Sequence, residues 1–513
     1  MAVAPRRSTR AAFVVVTLAA VVRLVFAALI PLFPDETYYW EWSRHLAAGY
    51  FDHPPGVALL VRAGDALASL IGAGFTPFAV RLGAVIAGWI ASLATVGIAR
   101  ELAGDDAAWR AALIMTLLPL AAAGLLLATP DSPVLAATAV CLYCVVRALR
   151  CAPRSRSSLA WWMLTGLALG VAFASKYTSI FVPIAVVVAI LLRSDLRVRL
   201  REPGPYVACV IATLVFIPVF IWNARHDWIS FVFQVRHGLA APQGSLLAAA
   251  WKHEGDLLGG QAGLASPIVF VMLCIVVARS LRRGADGARF VLAMVALVSF
   301  GFFVYSAVRQ RVEPNWPAAA YIPAIPLLAA ATWSRAGERW FRAGLALAGA
   351  MSLLIYAQGL APVLPIAPRR DPIGRAFGWR EVTRVADSTA AAITASTGRP
   401  TWLGGDRYQE ASELAFHDAR HPATFATNLS GRVNQYALWP GFADVARMGD
   451  NLVMVLDDSS DEPGPVSALR PFFGGVERGA LVELRRGSGV ITTRRMWVLQ
   501  GWRGGWPSAQ PSS

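Results

Sequence analysis

The sequence contains few charged residues for its length, and little lysine or cysteine. Only 15% of its 513 residues are charged, whereas 56% are hydrophobic, and the mean hydropathy is +0.50. A soluble chain carries about a quarter charged residues. Apolar runs of about 20 residues, enough to cross a bilayer of roughly 30 Å, recur through the first 360 positions. This composition excludes a soluble enzyme, a secreted disulfide scaffold and a disordered regulator.

The five cysteines all lie in or beside apolar segments, and the C-terminal region has none. Disulfides therefore do not hold that region together. Cys141 and Cys144 form a CxxC pair on an apolar helix without further metal ligands nearby. We interpret this pair as helix packing and not as a metal or redox site.

The apolar segments predict an α-helical multi-pass membrane protein with about eleven transmembrane helices. The first segment follows Arg6, Arg7 and Arg10, and its apolar run is longer than the core of a typical signal peptide, so we predict an uncleaved anchor. The predicted spans are residues 11–31, 78–99, 111–128, 132–147, 160–175, 177–192, 205–222, 265–281, 289–308, 316–333 and 341–357.

The net charge of +15 is distributed as a membrane topology requires. All but two of the 47 basic residues, Lys176 and Lys252, are arginine. Of the 15 excess positive charges, 13 lie in short segments at one end of the predicted spans, which the positive-inside rule assigns to the cytoplasm. We therefore expect a plasma (inner) membrane protein with a cytoplasmic N-terminus and a periplasmic C-terminal region. Nucleic acid is excluded as a partner.

The composition becomes mixed from about residue 365, which predicts a soluble α/β domain at 365–513 after a transmembrane domain at 1–360. Alternating apolar and polar patterns predict its elements. These are helices at 373–397, ending at Gly398, and at 407–417, with strands at 401–405, 451–458, 476–484 and 494–500.

The densest group of polar residues follows the first span, in the predicted non-cytoplasmic loop 32–77. Asp35 and Glu36 are followed by six aromatic residues and then by Asp52, His53 and a pair of prolines. An interfacial aromatic belt would explain the tyrosines and tryptophans. It does not explain two adjacent carboxylates followed by an acid–histidine pair. We therefore predict a functional site in this loop.

Further ionisable residues are predicted on the same membrane face. Asp131 lies in the turn ATPDSP, Lys176 in SKYTS, and Arg225 and Arg311 follow later spans. Asp131 could instead cap a helix, and each cation could be a long side chain reaching the interface. The ammonium of Lys176 needs an anionic partner, either in the protein or in a ligand.

A carboxylate near several cations suits group transfer from a lipid phosphate. The carboxylate would take the proton of an attacking hydroxyl, and the cations would stabilise the departing phosphate. The same residues would also suit a transporter or flippase of a lipid-linked sugar. A noncatalytic membrane scaffold is a third alternative.

The segment DETYYWEWSRHLAAGYFDHPPG (35–56) resembles the first-loop signature of membrane glycosyltransferases with the GT-C fold. It is most similar to the bacterial branch related to protein O-mannosyltransferases and to the aminoarabinose and galacturonic acid transferases of lipid A. The resemblance continues in order through TPDSP, ASKYTSIF, NARHDWISFVFQVRHG and RVEPNWPAAAYIPA, and DRYQEASELAF and NQYALWPG also look familial. It thus covers most of the chain.

The resemblance implies that Asp35 is the catalytic base, with Glu36 beside it, and that Asp131 is the acid of the second non-cytoplasmic loop. Aminoarabinose transferases have a lysine before the paired prolines that contacts the carrier phosphate. Here that residue is His53, which weakens aminoarabinose as the sugar and leaves phosphate binding to Lys176 or an arginine. The candidate substrate-binding residues are Glu36, Asp52, His53, Asp131, Lys176, Tyr177, Arg225, Arg311, Asn315 and Trp316.

The expected activity is that of an inverting glycosyltransferase that uses a polyprenyl-phosphate sugar, of the undecaprenyl type, at the periplasmic face. The acceptor would be lipid A, lipopolysaccharide or another glycolipid; the alternative acceptor is a protein, as for protein O-mannosyltransferases. Some relatives use a divalent cation and others do not, so we assign no metal ligand and no certain cofactor. The sequence does not identify the sugar.

Overall fold

The computed structural model describes residues 9–238, 246–282, 284–430 and 432–507, so Arg6 and Arg7 lie outside the described part. The chain divides into two compact units. The first, here called the helical unit, comprises Met1–Ala28 and Ala47–Tyr356. The second, the sheet unit, comprises Leu29–Leu46 and Ala357–Ser513. Residues 29–46 therefore group with the C-terminal region, and the domain boundaries at 1–360 and 365–513 stay a prediction.

The first 360 residues are almost entirely helical where the structure describes them. The α-helices are α1 (Thr9–Leu29), α2 (Pro34–Arg44), α3 (Gly56–Ser69), α4 (Pro77–Leu117), α5 (Pro119–Gly124), α6 (Asp131–Arg150), α7 (Arg156–Phe173), α8 (Phe181–Leu192), α9 (Gly204–Arg225), α10 (Ile229–Gly238), α11 (Leu246–Ala265), α12 (Pro267–Ser280), α13 (Gly287–Ala307), α14 (Ala318–Ala329) and α15 (Arg335–Leu360). Of these, α2 belongs to the sheet unit.

The prediction of a multi-pass helical membrane protein is confirmed, while the number of spans stays a prediction. Among the described residues, six helices are long and apolar enough to cross a membrane, or seven if a bent pair counts as one span. The predicted spans 78–99 and 111–128 share α4, whose backbone leaves the helical region at Ala103 and Gly104. The second of these spans is divided before Pro119, because proline has no amide to continue the ladder.

Three helices of the helical unit, α3, α10 and α11, lie outside the predicted spans. None forms a long apolar run: α3 carries Arg62 and Asp65, α10 carries Gln234 and Arg236, and α11 carries Lys252, Glu254 and Asp256. The break between α11 and α12 bends the chain by 102°.

Small side chains dominate the packing of the helical unit. Helix α6 packs against α4 and α7, α7 packs against α9, and α14 packs against α4 and α13. The buried core between these helices is rich in alanine. Apolar association gains little in lipid, so close approach of small residues supplies the packing.

The sheet unit adds four helices and five strands to α2. They are α16 (Trp379–Thr397), β1 (Thr401–Gly405), α17 (Tyr408–His417), β2 (Thr424–Ala426), α18 (Phe442–Val445), β3 (Asn451–Asp457), α19 (Gly464–Leu469), β4 (Phe473–Arg486) and β5 (Gly489–Trp502). The strand order is β2-β1-β3-β5-β4. Strand β1 is parallel to β2 and β3, whereas β5 is antiparallel to β3 and β4.

The predicted α/β character of this region is confirmed. Helix α16 ends before Gly398, whose φ of 64° is the left-handed conformation that glycine adopts at helix ends. It begins at Trp379 and not at 373, because Pro372–Ala376 forms a 3₁₀ turn and Gly378 has a φ of 90°. Strand β2 was missed because three residues are too few to show a pattern.

Candidate functional site

Asp35 and Glu36 lie in the first turn of α2, within the sheet unit. Pro34 is the first helical residue, a position where a missing amide costs nothing. The Glu36 carboxylate accepts a hydrogen bond from the backbone amide of Phe33 at 3.0 Å, and Glu36 is buried. Negative charge is also favoured at the amino end of a helix. Glu36 therefore stabilises the start of α2, whereas Asp35 is exposed.

The Asp35 carboxylate accepts a hydrogen bond from the Tyr408 hydroxyl, with 2.8 Å between Oδ1 and the phenol oxygen. Tyr408 is the first residue of α17, which packs against α2. Its ring centroid lies 4.2 Å from that of Tyr38, and the Tyr38 hydroxyl accepts from the backbone amide of Gln435 at 2.7 Å. The segments DRYQEASELAF and NQYALWPG thus both contribute contacts to α2.

This arrangement can accept a proton. Within the described part of the chain, Oδ2 of Asp35 makes no hydrogen bond, and the donor to Oδ1 is neutral. An exposed carboxylate held in this way has one oxygen available to a hydroxyl group within hydrogen-bond reach.

A second carboxylate of the sheet unit, Glu413 on α17, is completely buried. Burial raises the pKa of Glu413 to about 7, with a smaller opposing effect from His417 and a further raising effect from Glu36. The Nε2 atom of His417 lies 3.1 Å from the carboxylate. A protonatable group therefore lies on the helix that also carries Tyr408.

The remainder of the first-loop motif lies in the helical unit, against α10. The side-chain amide of Gln234 donates to the carbonyl of Asp52 at 2.6 Å and lies 3.4 Å from Nδ1 of His53. The backbone amide of Tyr50 donates to the carbonyl of His53 at 3.1 Å. Asp52 is buried. Gln234 therefore fixes the turn that carries His53.

Gly56 connects this turn to the segment before Lys176. Its amide donates to the carbonyl of Ala174 at 2.8 Å. A Cβ atom on Gly56 would lie 2.6 Å from Oγ and 2.8 Å from Cα of Ser175. Only glycine permits this approach, so the turn containing His53 and the turn containing Lys176 pack directly on each other.

Lys176, Asp131 and Asn315 form a group that we call the lysine cluster. The Lys176 ammonium donates to Oδ1 of Asp131 at 2.6 Å, and the Asn315 amide donates to Oδ2 at 2.8 Å. The Lys176 and Asp131 side chains are 12% and 11% exposed. The anionic partner expected for Lys176 is therefore Asp131. Asp131 is in the first helical turn but caps no backbone amide of α6.

Tyr177 follows the lysine cluster in sequence and contacts α9 and α10. Its hydroxyl lies 2.9 Å from the Ser230 hydroxyl and accepts from the Asn223 amide at 3.2 Å. Asn223 is fully buried, and its Oδ1 makes no hydrogen bond with a described residue. This group positions the tyrosine and leaves a buried acceptor.

Arg225, Arg311 and Trp316 are placed differently. Arg225 is exposed at the last residue of α9. Arg311 is 68% exposed and lies 3.4 Å from Glu313, while Trp316 packs near Phe303. Within the described ranges, neither arginine forms an ion pair with the lysine cluster. Both arginines are exposed, as is common for long charged side chains at a membrane surface.

The sequence alone does not single out several residues that contact the predicted site residues or lie on the same helices. They are Tyr408, Glu413, Gln234, Asn223 and Ser230. All lie in segments identified as familial, so their position was noticed but their role was not. Their contacts depend on tertiary structure, since Gln234 meets His53 across 181 positions of sequence.

Among the described residues, no group of three or more His, Cys, Asp or Glu side chains is arranged so that it could hold a metal ion. The described residues therefore form no preformed metal site.

Comparison with known proteins identifies related chains. The family profile described as dolichyl-phosphate-mannose-protein mannosyltransferase matches residues 52–222. This range includes Asp52, His53, Asp131, Lys176 and Tyr177 and begins after α2. The chain is also 27% identical over 376 residues to the lipid A galacturonosyltransferase RgtD of Rhizobium johnstonii strain DSM 114642 / LMG 32736 / 3841, covering 73% of this chain and 76% of RgtD.

Solved structures share the fold over nearly the whole chain. ArnT from Cupriavidus metallidurans bound to undecaprenyl phosphate matches with a TM-score of 0.63 at 16% identity, over 96% of this chain and 98% of ArnT. The archaeal oligosaccharyltransferase AglB from Archaeoglobus fulgidus, in complex with an inhibitory peptide and a dolichol-phosphate, matches with a TM-score of 0.53 at 10% identity, over 87% and 69%. The fold implied by the resemblance is confirmed, because the chain shares the GT-C fold of these structures, and residues 52–222 are similar to the mannosyltransferase family.

Proposed function

We propose that the chain is an inner-membrane glycosyltransferase that moves a sugar from a polyprenyl phosphate to lipid A or another envelope glycolipid. The observation that carries the proposal is the exposed Asp35 carboxylate, hydrogen-bonded only by the neutral Tyr408 hydroxyl within the described residues. The sequence similarity to a lipid A galacturonosyltransferase supports the acceptor. The fold shared with ArnT, which was crystallised with undecaprenyl phosphate, supports the donor.

The reaction is a single displacement with inversion. An acceptor hydroxyl attacks the anomeric carbon, and its proton passes to Asp35. The bond between that carbon and the phosphate oxygen breaks, and the polyprenyl phosphate leaves with the bonding electrons. General-base assistance of this kind contributes about 10²–10⁴-fold to rate.

Lys176 is the proposed phosphate ligand, with Arg225 and Arg311 as further cations and His53 as a further candidate for phosphate binding. In the lysine cluster the ammonium already donates to Asp131. A dianionic phosphate would compete with Asp131 for the same ammonium, because charge-assisted bonds to phosphate are strong. Asp131 would then retain the Asn315 amide as its donor.

The remaining candidates would position the sugar and the acceptor. Glu36 and Tyr177 are buried or half-buried polar groups whose hydrogen bonds fix their orientation. Asp52 is buried, and Asn315 and Trp316 lie together in the turn before α14. We expect the active face to be periplasmic and the N-terminus to be cytoplasmic, as the distribution of arginine predicts.

The direct test is a transfer assay with the purified chain, an undecaprenyl-phosphate-linked sugar and lipid A. Wild type should form glycosylated lipid A, and Asp35→Asn should reduce kcat by at least about 10²-fold. The matched control is Glu381→Gln, which removes an equally exposed first-turn carboxylate from α16 and should leave kcat unchanged.

Wild-type turnover by Asp35→Asn would refute the assignment of the base. Transfer to a protein and not to lipid A would favour the protein O-mannosyltransferase alternative. Movement of the lipid-linked sugar across proteoliposomes without a covalent product would show a transporter.

A further inference from the structure

A large polar cavity lies at the arginine-rich end of the helical unit and is lined by none of the residues assigned above. Its volume is about 730 Å³, within the range of roughly 300–1,000 Å³ for ligand sites. It is formed by α4 beyond its break, by the end of α14 and by the start of α15. The charged residues that line it are Asp106, Arg110, Arg335, Glu338, Arg339 and Arg342.

The cavity carries an excess of positive charge. Four arginines face two acidic residues. Glu338 is shared between Arg110, at 3.0 Å, and Arg342, at 3.6 Å. Arg335 and Arg339 are exposed and form no ion pair with any residue that the structure describes. Two guanidinium groups are therefore available to an anion.

Backbone donors of α15 reinforce this preference. The helix begins at Arg335, and Ser334 accepts a hydrogen bond from the amide of Gly337 at 3.2 Å. The other amides of the first turn point out of the helix start, where the positive end of the helix dipole favours an anion. Arginine forks and free amides together match the oxygens of a phosphate.

The surroundings favour a lipid phosphate over a soluble one. Both α4 and α15 are among the helices able to span a membrane, and the cavity lies at the amino-terminal end of α15. Trp340 in the second turn of α15 is 61% exposed, as is typical of tryptophan at a membrane–water interface. Basic pockets between transmembrane helices bind anionic head groups.

We propose that this cavity binds the phosphate of an anionic membrane phospholipid. Arg335 and Arg339 contact the phosphate oxygens, and Arg110 and Arg342 remain tied to Glu338 as the wall of the site. This site does not depend on the transferase function proposed for the residues described earlier.

The test is native mass spectrometry of the full chain in detergent, titrated with phosphatidylglycerol or with phosphatidylcholine of the same acyl chains. Wild type should prefer phosphatidylglycerol. Arg335→Gln/Arg339→Gln should weaken phosphatidylglycerol binding by about tenfold or more, since each basic side chain near an anionic head group contributes appreciably. Arg335→Lys/Arg339→Lys should retain part of the preference.

The matched control is Arg156→Gln/Arg282→Gln, which removes the same charge from two exposed arginines of the helical unit that do not line the cavity. Its affinity should stay within twofold of wild type. Equal losses in both glutamine variants would overturn the proposal, because net charge alone would then explain binding. Displacement of phosphatidylglycerol by millimolar inorganic phosphate would also overturn it, in favour of a soluble anion. A wild-type melting temperature for each variant confirms that the measured losses are not losses of fold.

Discussion

Carboxylates in the two units have different kinds of hydrogen-bond partner. In the helical unit, Asp131 accepts from the ammonium of Lys176, so its charge is balanced inside the protein. In the sheet unit, Asp35 accepts from a neutral phenol. Glu413 is buried, and among the described residues His417 is its partner at ion-pair distance. The Asp131 carboxylate is therefore engaged by a cation of the protein, whereas the exposed Asp35 carboxylate keeps one oxygen available to a hydroxyl group. This difference supports the proposal that Asp35 takes the proton and that the lysine cluster has a structural or phosphate-binding role.

The largest effect should follow from breaking the charge balance of the helical unit. Asp131→Asn leaves the Lys176 ammonium without its counter-charge at a position only 12% exposed. Removing one partner of a buried ion pair costs about 3–5 kcal/mol. We expect a loss of about 3 kcal/mol in the free energy of unfolding, measured by denaturant titration in detergent.

The matched control for this variant is Asp195→Asn in the same unit. Asp195 pairs with Arg193 at 2.7 Å but is 54% exposed, so its loss should cost less than about 1 kcal/mol. The double variant Lys176→Met/Asp131→Asn should regain much of the lost stability, yet its KM for the lipid-linked donor should stay raised if Lys176 binds phosphate. Similar small losses for both single variants would show that the lysine cluster is not an electrostatic unit.

The two units also differ in how far the sequence predicts them. Helices and strands of the C-terminal region follow from their periodicity, because alternation and helical spacing are local properties. The membrane helices follow from apolar runs, but α3, α10 and α11 carry charged residues and do not meet that criterion. The assignment of α2 to the sheet unit depends on contacts with α17, more than 360 positions away, which no local pattern records.

The residues of the candidate site also differ in how far the sequence predicts them. Asp35, Asp131 and Lys176 were identified because ionisable residues beside apolar spans are costly and therefore informative. The residues that hydrogen-bond to the first-loop motif could not be identified in the same way. Tyr408 is one tyrosine among 11, and Gln234 is an ordinary polar residue of a helix. Only the tertiary structure shows that these residues hydrogen-bond to the first-loop motif.

A smaller effect is expected from replacing Glu413, the buried carboxylate of the sheet unit. Its raised pKa, about 7, means that the folded chain binds a proton that the unfolded chain has released at neutral pH. This contribution to stability is complete below the ordinary glutamate pKa and is lost as pH rises through 7. Glu413→Gln stays neutral, so at pH 8 its unfolding free energy should exceed that of wild type by about 2–3 kcal/mol.

Thermal unfolding at pH 5 and pH 8 measures this difference. The two proteins should melt at nearly the same temperature at pH 5, and the variant should melt about 2–4 °C higher at pH 8. Glu381→Gln serves as the control, since Glu381 is exposed and its pKa is lowered by Arg384. A variant that is less stable than wild type at pH 8 would show that Glu413 is ionised and satisfied in the folded chain.

The smallest effect should come from the hydrogen bond to Asp35 itself. Tyr408→Phe removes one neutral donor, and a bond of this kind contributes about 0.5–1.5 kcal/mol. We expect kcat to fall by about threefold to tenfold with KM nearly unchanged, because Tyr408 orients the base and is not proposed to contact the donor. Tyr206→Phe is the control, since the hydroxyl of this tyrosine donates to the backbone carbonyl of Leu200 in the helical unit.

A double-variant cycle decides whether Tyr408 acts through Asp35. If it does, adding Tyr408→Phe to Asp35→Asn should reduce the residual rate no further, since the carboxylate that the phenol orients is already gone. Independent, additive losses would mean that Tyr408 contacts a substrate or supports the fold on its own. In that case the role of Asp35 would not depend on the Tyr408 hydroxyl, and the contrast with Asp131, which pairs with Lys176, would rest on exposure alone.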